Sequence, residues 1–77
     1  MSRVMWARMY RLKIPIPADI HNDRRGIDDE FEKVTGKECD DAARELNDQD
    51  FRQAMERALR QLLEKKKKEK RSVELAA

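Results

Sequence analysis

The sequence has little of what stabilises a small protein from within. Its 77 residues contain one cysteine and one histidine, Cys39 and His21, too few for an intramolecular disulfide or a Cys/His zinc site. Charged residues make up 44% of the chain, against roughly 25% in an average globular domain, and hydrophobic residues only 39%. A single domain of this size buries only about 60% of its unfolded surface. We therefore expect oligomerisation to supply the missing stability.

Long apolar runs and catalytic motifs are also missing. No apolar stretch approaches the roughly 20 residues of a membrane-spanning helix. Arginines are scattered through the apolar residues of segment 1–13, where a signal peptide would keep charge and apolar residues apart. We expect a cytoplasmic protein with no membrane association.

Neither an enzyme nor a cofactor is expected, since the chain has no glycine-rich phosphate loop and no nucleophile motif. Residues 19–30 partly match a calcium-binding loop, but the position that requires glycine is occupied by Arg24. Histidine at the third position of that loop is also a poor calcium ligand. We therefore expect no metal site.

The charges are arranged in three blocks along the chain. The net charge is +4 in residues 1–26, −7 in residues 27–56 and +5 in residues 57–77, within a total of +2. Blocks of this kind often correspond to separate faces of a folded protein. The lysine-rich run at residues 65–71 is typical of a solvated helix end and also fits contact with phosphates.

One segment alternates in the way a β-strand does. Even positions from Tyr10 to Ile16 are apolar, whereas Arg11 and Lys13 occupy odd positions. This alternation predicts a strand over residues 8–16 with one apolar and one basic face.

The strand is expected to pair on one edge only. Pro15 and Pro17 have no N–H groups, and N–H groups two residues apart point to the same edge. Because the chain has no second strand pattern, the neighbour must come from another molecule. A second copy of the chain would give a two-stranded ribbon with a doubled basic face, a structure that can enter the DNA major groove.

The rest of the chain reads as helical. Apolar residues three and four positions apart predict helices over residues 27–35, 38–46 and 48–66. Asn47 is placed to cap the last of these, with Leu46 and Phe51 at the spacing of a hydrophobic staple. Residues 1–64 are thus expected to form one small domain, followed by a basic, frayed or disordered tail at residues 65–77.

The predicted fold class is mostly α with one N-terminal β-strand (α+β), as an intertwined homodimer. The predicted dimer or partner interface consists of Tyr10, Leu12, Ile14, Phe51, Met55, Leu59 and Leu62. This arrangement is similar in outline to ribbon–helix–helix repressors, over residues 9–16 and 47–64. The resemblance implies a dimer that reads DNA with paired strands. Residues 17–46 depart from that family, since they are longer than one helix and a turn and strongly acidic.

Two functions remain open from the sequence. The first is a small homodimeric DNA-binding regulator of transcription, with Arg11 and Lys13 facing duplex DNA and Arg8 reaching backbone phosphates. The second is an adaptor, inhibitor or accessory subunit that binds a heterologous protein by β-augmentation and an acidic helical face. Self-pairing favours the first slightly, because it requires no unseen protein.

Overall fold

The described part of the chain, residues 3–76 with side chains as far as residue 68, is helical in this computed structural model. The helices are α1 (Arg3–Arg11), a 3-10 turn (Ala18–Ile20), α2 (Arg24–Thr35), α3 (Cys39–Glu45) and α4 (Asp48–Ala76). The 29-residue α4 extends along a molecule 45 Å long. Helix α2 packs along α4, and α1 packs on α3.

The predicted strand over residues 8–16 is wrong, and so are the α+β fold class and the intertwined homodimer built on it. Helix α1 continues to Arg11, and none of residues 3–76 belongs to a strand. Met5 and Met9, four positions apart, are both fully buried. Their helical spacing places one face of α1 on the core and outweighs the alternation that begins at Tyr10.

The end of α1 explains why the alternation misled. Lys13 has a left-handed φ of 54°, and its N–H donates to the Tyr10 carbonyl at 3.1 Å. The Ile14 N–H donates to the Met9 carbonyl at 3.2 Å. These two bonds form a Schellman motif, in which the residue after the turn packs back on the last helical turn. Ile14 and Met9 are buried accordingly.

Short polar residues and glycines set the bounds of the other helices. The Asp23 carboxylate caps α2 by accepting the Gly26 N–H at 3.1 Å, and a β-carbon on Gly26 would collide with that carboxylate. Gly36 ends α2 with a left-handed φ of 71°. The predicted cap of α4 is confirmed, since Asn47 Oδ1 accepts the Asp50 N–H at 2.8 Å.

All the helices contribute to one core. The rings of Phe31 and Phe51 meet there, with their centroids 5.4 Å apart. The apolar stripe of α4, which the sequence predicted to hold a dimer together, lies in this core at Phe51, Met55, Leu59 and Leu62. The stripe is therefore covered by the chain's own helices.

Part of the lysine-rich run is engaged in the fold. Lys65 donates to the carboxylate of Glu30, a buried residue of α2, and Lys66 Nζ lies 3.2 Å from Asp23 Oδ2. A buried carboxylate requires such a partner. Helix α4 continues through this segment, which begins the tail predicted over residues 65–77, and the side chains of that tail from residue 69 onward lie outside the described part of the chain.

Candidate functional site

An open groove of about 530 Å³ lies between α1 and α3. It is lined by four arginines and three small apolar residues: Arg3, Arg8, Arg11 and Arg44, with Val4, Ala7 and Ala43. No acidic residue of the described chain lines it. Because the planar guanidinium group binds phosphate or carboxylate through two parallel hydrogen bonds, the chemistry of this lining is suited to an anion.

The helical spacing of α1 and the small residues of α3 build this groove. Arg3, Ala7 and Arg11 follow one another at intervals of four, so they lie on the same side of α1. Helix α3 meets α1 through the buried Ala42 and Ala43, whose small side chains allow the two helices to approach closely. Three arginines of α1 and one of α3 therefore line the groove together with the apolar side chains of Val4, Ala7 and Ala43.

Arg8 is the anchored member of the group. Its side chain is only 13% exposed, and its guanidinium donates to the Ala43 carbonyl and, at 2.9 Å, to Asp48 Oδ1. The guanidinium carbon also lies 5.0 Å from the centre of the Phe51 ring, a cation–π contact. Its buried Nε has no hydrogen-bond partner among the described residues. Arg8 thus ties α1 to α3 and α4 and fixes the shape of the groove.

Asp48 lies beside the groove and responds to its charge. The hydrogen bond from Arg8 lowers the pKa of the Asp48 carboxyl, with smaller contributions from the charges of Arg8, Arg11 and Arg52. Arg11 Nη2 is 3.5 Å from Asp48 Oδ1, and both side chains are about two-thirds exposed, 68% and 64% respectively. Arg3 and Arg44 are exposed as well. The outer arginines of the groove are therefore accessible to an anion from solvent.

An aromatic surface adjoins the groove on α1. Tyr10 is 59% exposed. The centroid of its ring lies 6.0 Å from that of Trp6, and the two ring planes are inclined at 42°. Trp6 is nearly buried and donates from Nε1 to Asp28 Oδ1 at 3.0 Å. Burial raises the pKa of the Asp28 carboxyl, although the Trp6 bond opposes the rise. The Arg24 guanidinium carbon lies 5.2 Å from the centre of the Trp6 ring.

The structure brings together two of the three residues predicted to bind nucleic acid. Arg8 and Arg11 line the groove, whereas Lys13 lies past the end of α1 and does not. The sequence reasoning missed Arg3 and Arg44. A helical interpretation of α1 would have found Arg3, which is two turns before Arg11 on the same side. No local pattern identifies Arg44, because it reaches the groove through the packing of α3.

The predicted interface residues do not form one surface. Tyr10 is exposed and Leu12 half-buried, whereas Ile14 is buried with the four α4 residues. Within the described residues, Tyr10 is the large hydrophobic residue that is exposed. Contact of these residues with a second molecule stays a prediction.

Cys39 lacks the character of a nucleophile. Burial raises the pKa of its thiol to about 12, helped by the nearby charges of Asp28 and Glu32. Its Sγ donates to the Asp28 carbonyl at 3.2 Å. At neutral pH the thiol is protonated and held inside the fold, whereas the thiolate is the reactive form of cysteine.

Metal ligands and membrane spans give no other candidate. In the part of the chain that the structure describes, no three His, Cys, Asp or Glu side chains are grouped so that they could hold a metal ion. No described helix combines the length and the apolar character needed to cross a membrane. No protein-family model, curated protein or solved structure matches this chain. The geometry of its own residues therefore has to carry the functional assignment.

Proposed function

We propose that this protein is a small, non-enzymatic cytoplasmic DNA-binding protein that holds the phosphate backbone in the groove between α1 and α3. One observation carries the proposal: four arginines from two helices line one open groove, with a single described carboxylate, that of Asp48, paired to Arg8 and Arg11 at its side. A regulatory role, as expected from the sequence, would follow from such binding.

A polyanion fits this groove better than a small anion does. The groove is open rather than enclosed, and its arginines are distributed along two helices. An isolated phosphate would engage one or two of them, whereas a DNA backbone presents phosphates at regular intervals to the exposed arginines of both helices. DNA binding through such contacts gains free energy from released counterions.

The arginines have different roles in this proposal. Arg3 and Arg44 are exposed and contact phosphates directly, whereas the exposed Arg11 exchanges its contact with Asp48 for a phosphate. Arg8 is a positioning residue, because its guanidinium is already held by the Ala43 carbonyl, Asp48 and the Phe51 ring. The binding unit is the single chain, since the α4 stripe expected to form a dimer is covered by the chain itself.

The test compares two variants of equal charge. In Arg3→Gln/Arg44→Gln the groove loses two exposed arginines. In Arg57→Gln/Arg60→Gln the same charge is removed from exposed positions of α4 that do not line the groove. Fluorescence anisotropy of a short labelled duplex is followed as the salt concentration rises. The groove variant is expected to bind more weakly and to lose about two from the slope of log affinity against log salt, since each phosphate contact contributes about 0.9.

The control separates a site from general charge. The α4 variant is expected to keep the wild-type slope to within about one unit. Equal losses in both variants would mean that only net charge attracts DNA. No binding of the wild-type protein at low salt would refute the proposal directly. Far-UV circular dichroism confirms that each variant is folded.

The adaptor hypothesis has less support. β-Augmentation needs a run of free backbone N–H groups along one edge. In segment 14–17 the Ile14 N–H is used at the end of α1, and Pro15 and Pro17 have none. Only Ile16 is left to pair with a partner's sheet.

A further inference from the structure

We infer that Tyr10 is a stacking platform for an unpaired base, so that the protein prefers single-stranded to duplex DNA. This inference rests on the proposed function and names the form of DNA that the groove accepts. It assigns a role to the aromatic surface beside the groove, which phosphate binding alone leaves unused.

Tyr10 is unusual in its exposure. The other large hydrophobic side chains of the described residues are buried or half-buried, whereas Tyr10 is 59% exposed. An aromatic ring left in water forgoes the free energy that burial of its apolar surface would give. Bases of every type stack on such rings, which is how many proteins bind single strands without reading their sequence.

The ring of Tyr10 is supported by the ring of Trp6. Trp6 contacts one side of Tyr10 at a centroid distance of 6.0 Å and is itself held by a 3.0 Å hydrogen bond to Asp28. The Arg24 guanidinium covers the Trp6 ring. Because α2 fixes Trp6 from two directions, Tyr10 has a rigid support and little ordering is needed when a base stacks on it.

The platform and the groove lie on the same helix. Tyr10 lies three positions after Ala7 and seven after Arg3, so it projects from the same side of α1 as these two groove residues. A nucleotide whose phosphate contacts Arg3 therefore has its base on the side of α1 that carries Tyr10. In a duplex the bases are paired and stacked inside the helix, so only an unpaired base has a free face to offer.

The experiment measures binding of three DNA ligands by Tyr10→Ala, Tyr10→Phe and wild-type protein. The ligands are a single-stranded oligonucleotide, the same strand with abasic sites throughout, and the duplex of the same sequence. The abasic strand keeps the phosphates and removes the bases. Trp6 is the only tryptophan of the chain, so quenching of its fluorescence reports on contact at the platform.

Tyr10→Ala is expected to weaken binding of the single strand by about tenfold and to leave the duplex and the abasic strand within about twofold, as base stacking on an aromatic ring predicts. Tyr10→Phe is expected to bind like the wild type, because the ring is kept. Quenching of Trp6 is expected with the normal strand and not with the abasic one.

Failure of this inference differs from failure of the proposed function. If Tyr10→Ala leaves the preference for the single strand unchanged, or weakens all three ligands equally, the stacking role is overturned while groove binding stands. If the wild-type protein binds none of the three ligands, both proposals fall. The exposure of Tyr10 makes its variants suitable, since more than half of the residue lies outside the core.

Discussion

Replacement of Lys13 by glycine is expected to stabilise the protein, although it removes a whole side chain. Lys13 is the described non-glycine residue with a positive φ, 54°, and it occupies the position after α1 where glycine is usual. If residues 8–16 were a strand, glycine in its interior would instead destabilise the protein by roughly 0.5–1 kcal/mol. The two architectures therefore predict opposite signs.

The magnitude follows from two opposing terms. The left-handed conformation costs a residue with a β-carbon about 1–2 kcal/mol, and glycine avoids that cost. Glycine also lowers the free energy of unfolding by roughly 0.5–1 kcal/mol, because it loses more conformational freedom on folding than lysine does. The net gain is about 0.7 kcal/mol, which in a chain of this size raises the melting temperature by about 4 °C.

Urea and thermal denaturation followed by far-UV circular dichroism measure this gain. Lys13→Ala is the matched control: it removes the same charge and keeps the β-carbon, so its stability is expected to equal the wild type's within about 0.3 kcal/mol. A glycine variant less stable than the alanine variant would refute the Schellman end of α1 and restore the strand.

Three further outcomes are expected. Asn47→Ala removes the cap of α4 and is expected to lower the free energy of unfolding by about 1 kcal/mol in urea denaturation. Asn47→Ser is expected to keep most of that free energy, because serine also caps helices. Cys39 is expected to react with a thiol reagent at mildly alkaline pH only as fast as the protein unfolds, because burial raises its thiol pKa to about 12; fast labelling of the native protein would contradict this. The hydrogen bonds from the Gly26 N–H and from Lys66 lower the pKa of Asp23 in the folded protein. The stability that ionised Asp23 contributes is therefore fully present above the pKa of the unfolded state, and it is lost as the pH falls through the lowered pKa of the folded state. Asp23→Asn is expected to flatten that acid loss of stability, and an unchanged pH profile would argue against the cap.

Local signals in the sequence were sufficient for the second half of the fold. The cap at Asn47 and the stripe from Phe51 onward depend on residues a few positions apart, and the structure has both. The prediction failed over the first 16 residues, because two periods compete there, whereas the helix predicted over residues 27–35 is present as α2. Alternation from Tyr10 to Ile16 spans a helix end and an irregular segment, whereas the burial of Met5 and Met9 follows the helix.

For a similar reason the sequence predicted only two of the four arginines that line the candidate site. Arg8 and Arg11 could be predicted from the sequence because they are basic residues near apolar ones, and their charge is the same in a strand and in a helix. Their placement in a groove depends on contacts that no local pattern contains. The bond from Arg8 to Ala43 joins residues 35 positions apart, and the same packing brings Arg44 opposite α1.

Asp48 has a consequence for the kind of ligand the groove accepts. Its carboxylate already contacts Arg8 and Arg11, so it is a tethered anion that a phosphate has to displace in order to bind either of these two arginines. A short tether gives such a group an effective concentration in the millimolar range. A free monophosphate competes poorly on those terms, whereas a polymer that holds several phosphates in a row brings an effective concentration of its own. If the proposed function is right, Asp48 makes the groove favour a ligand that carries several phosphates over one that carries a single phosphate.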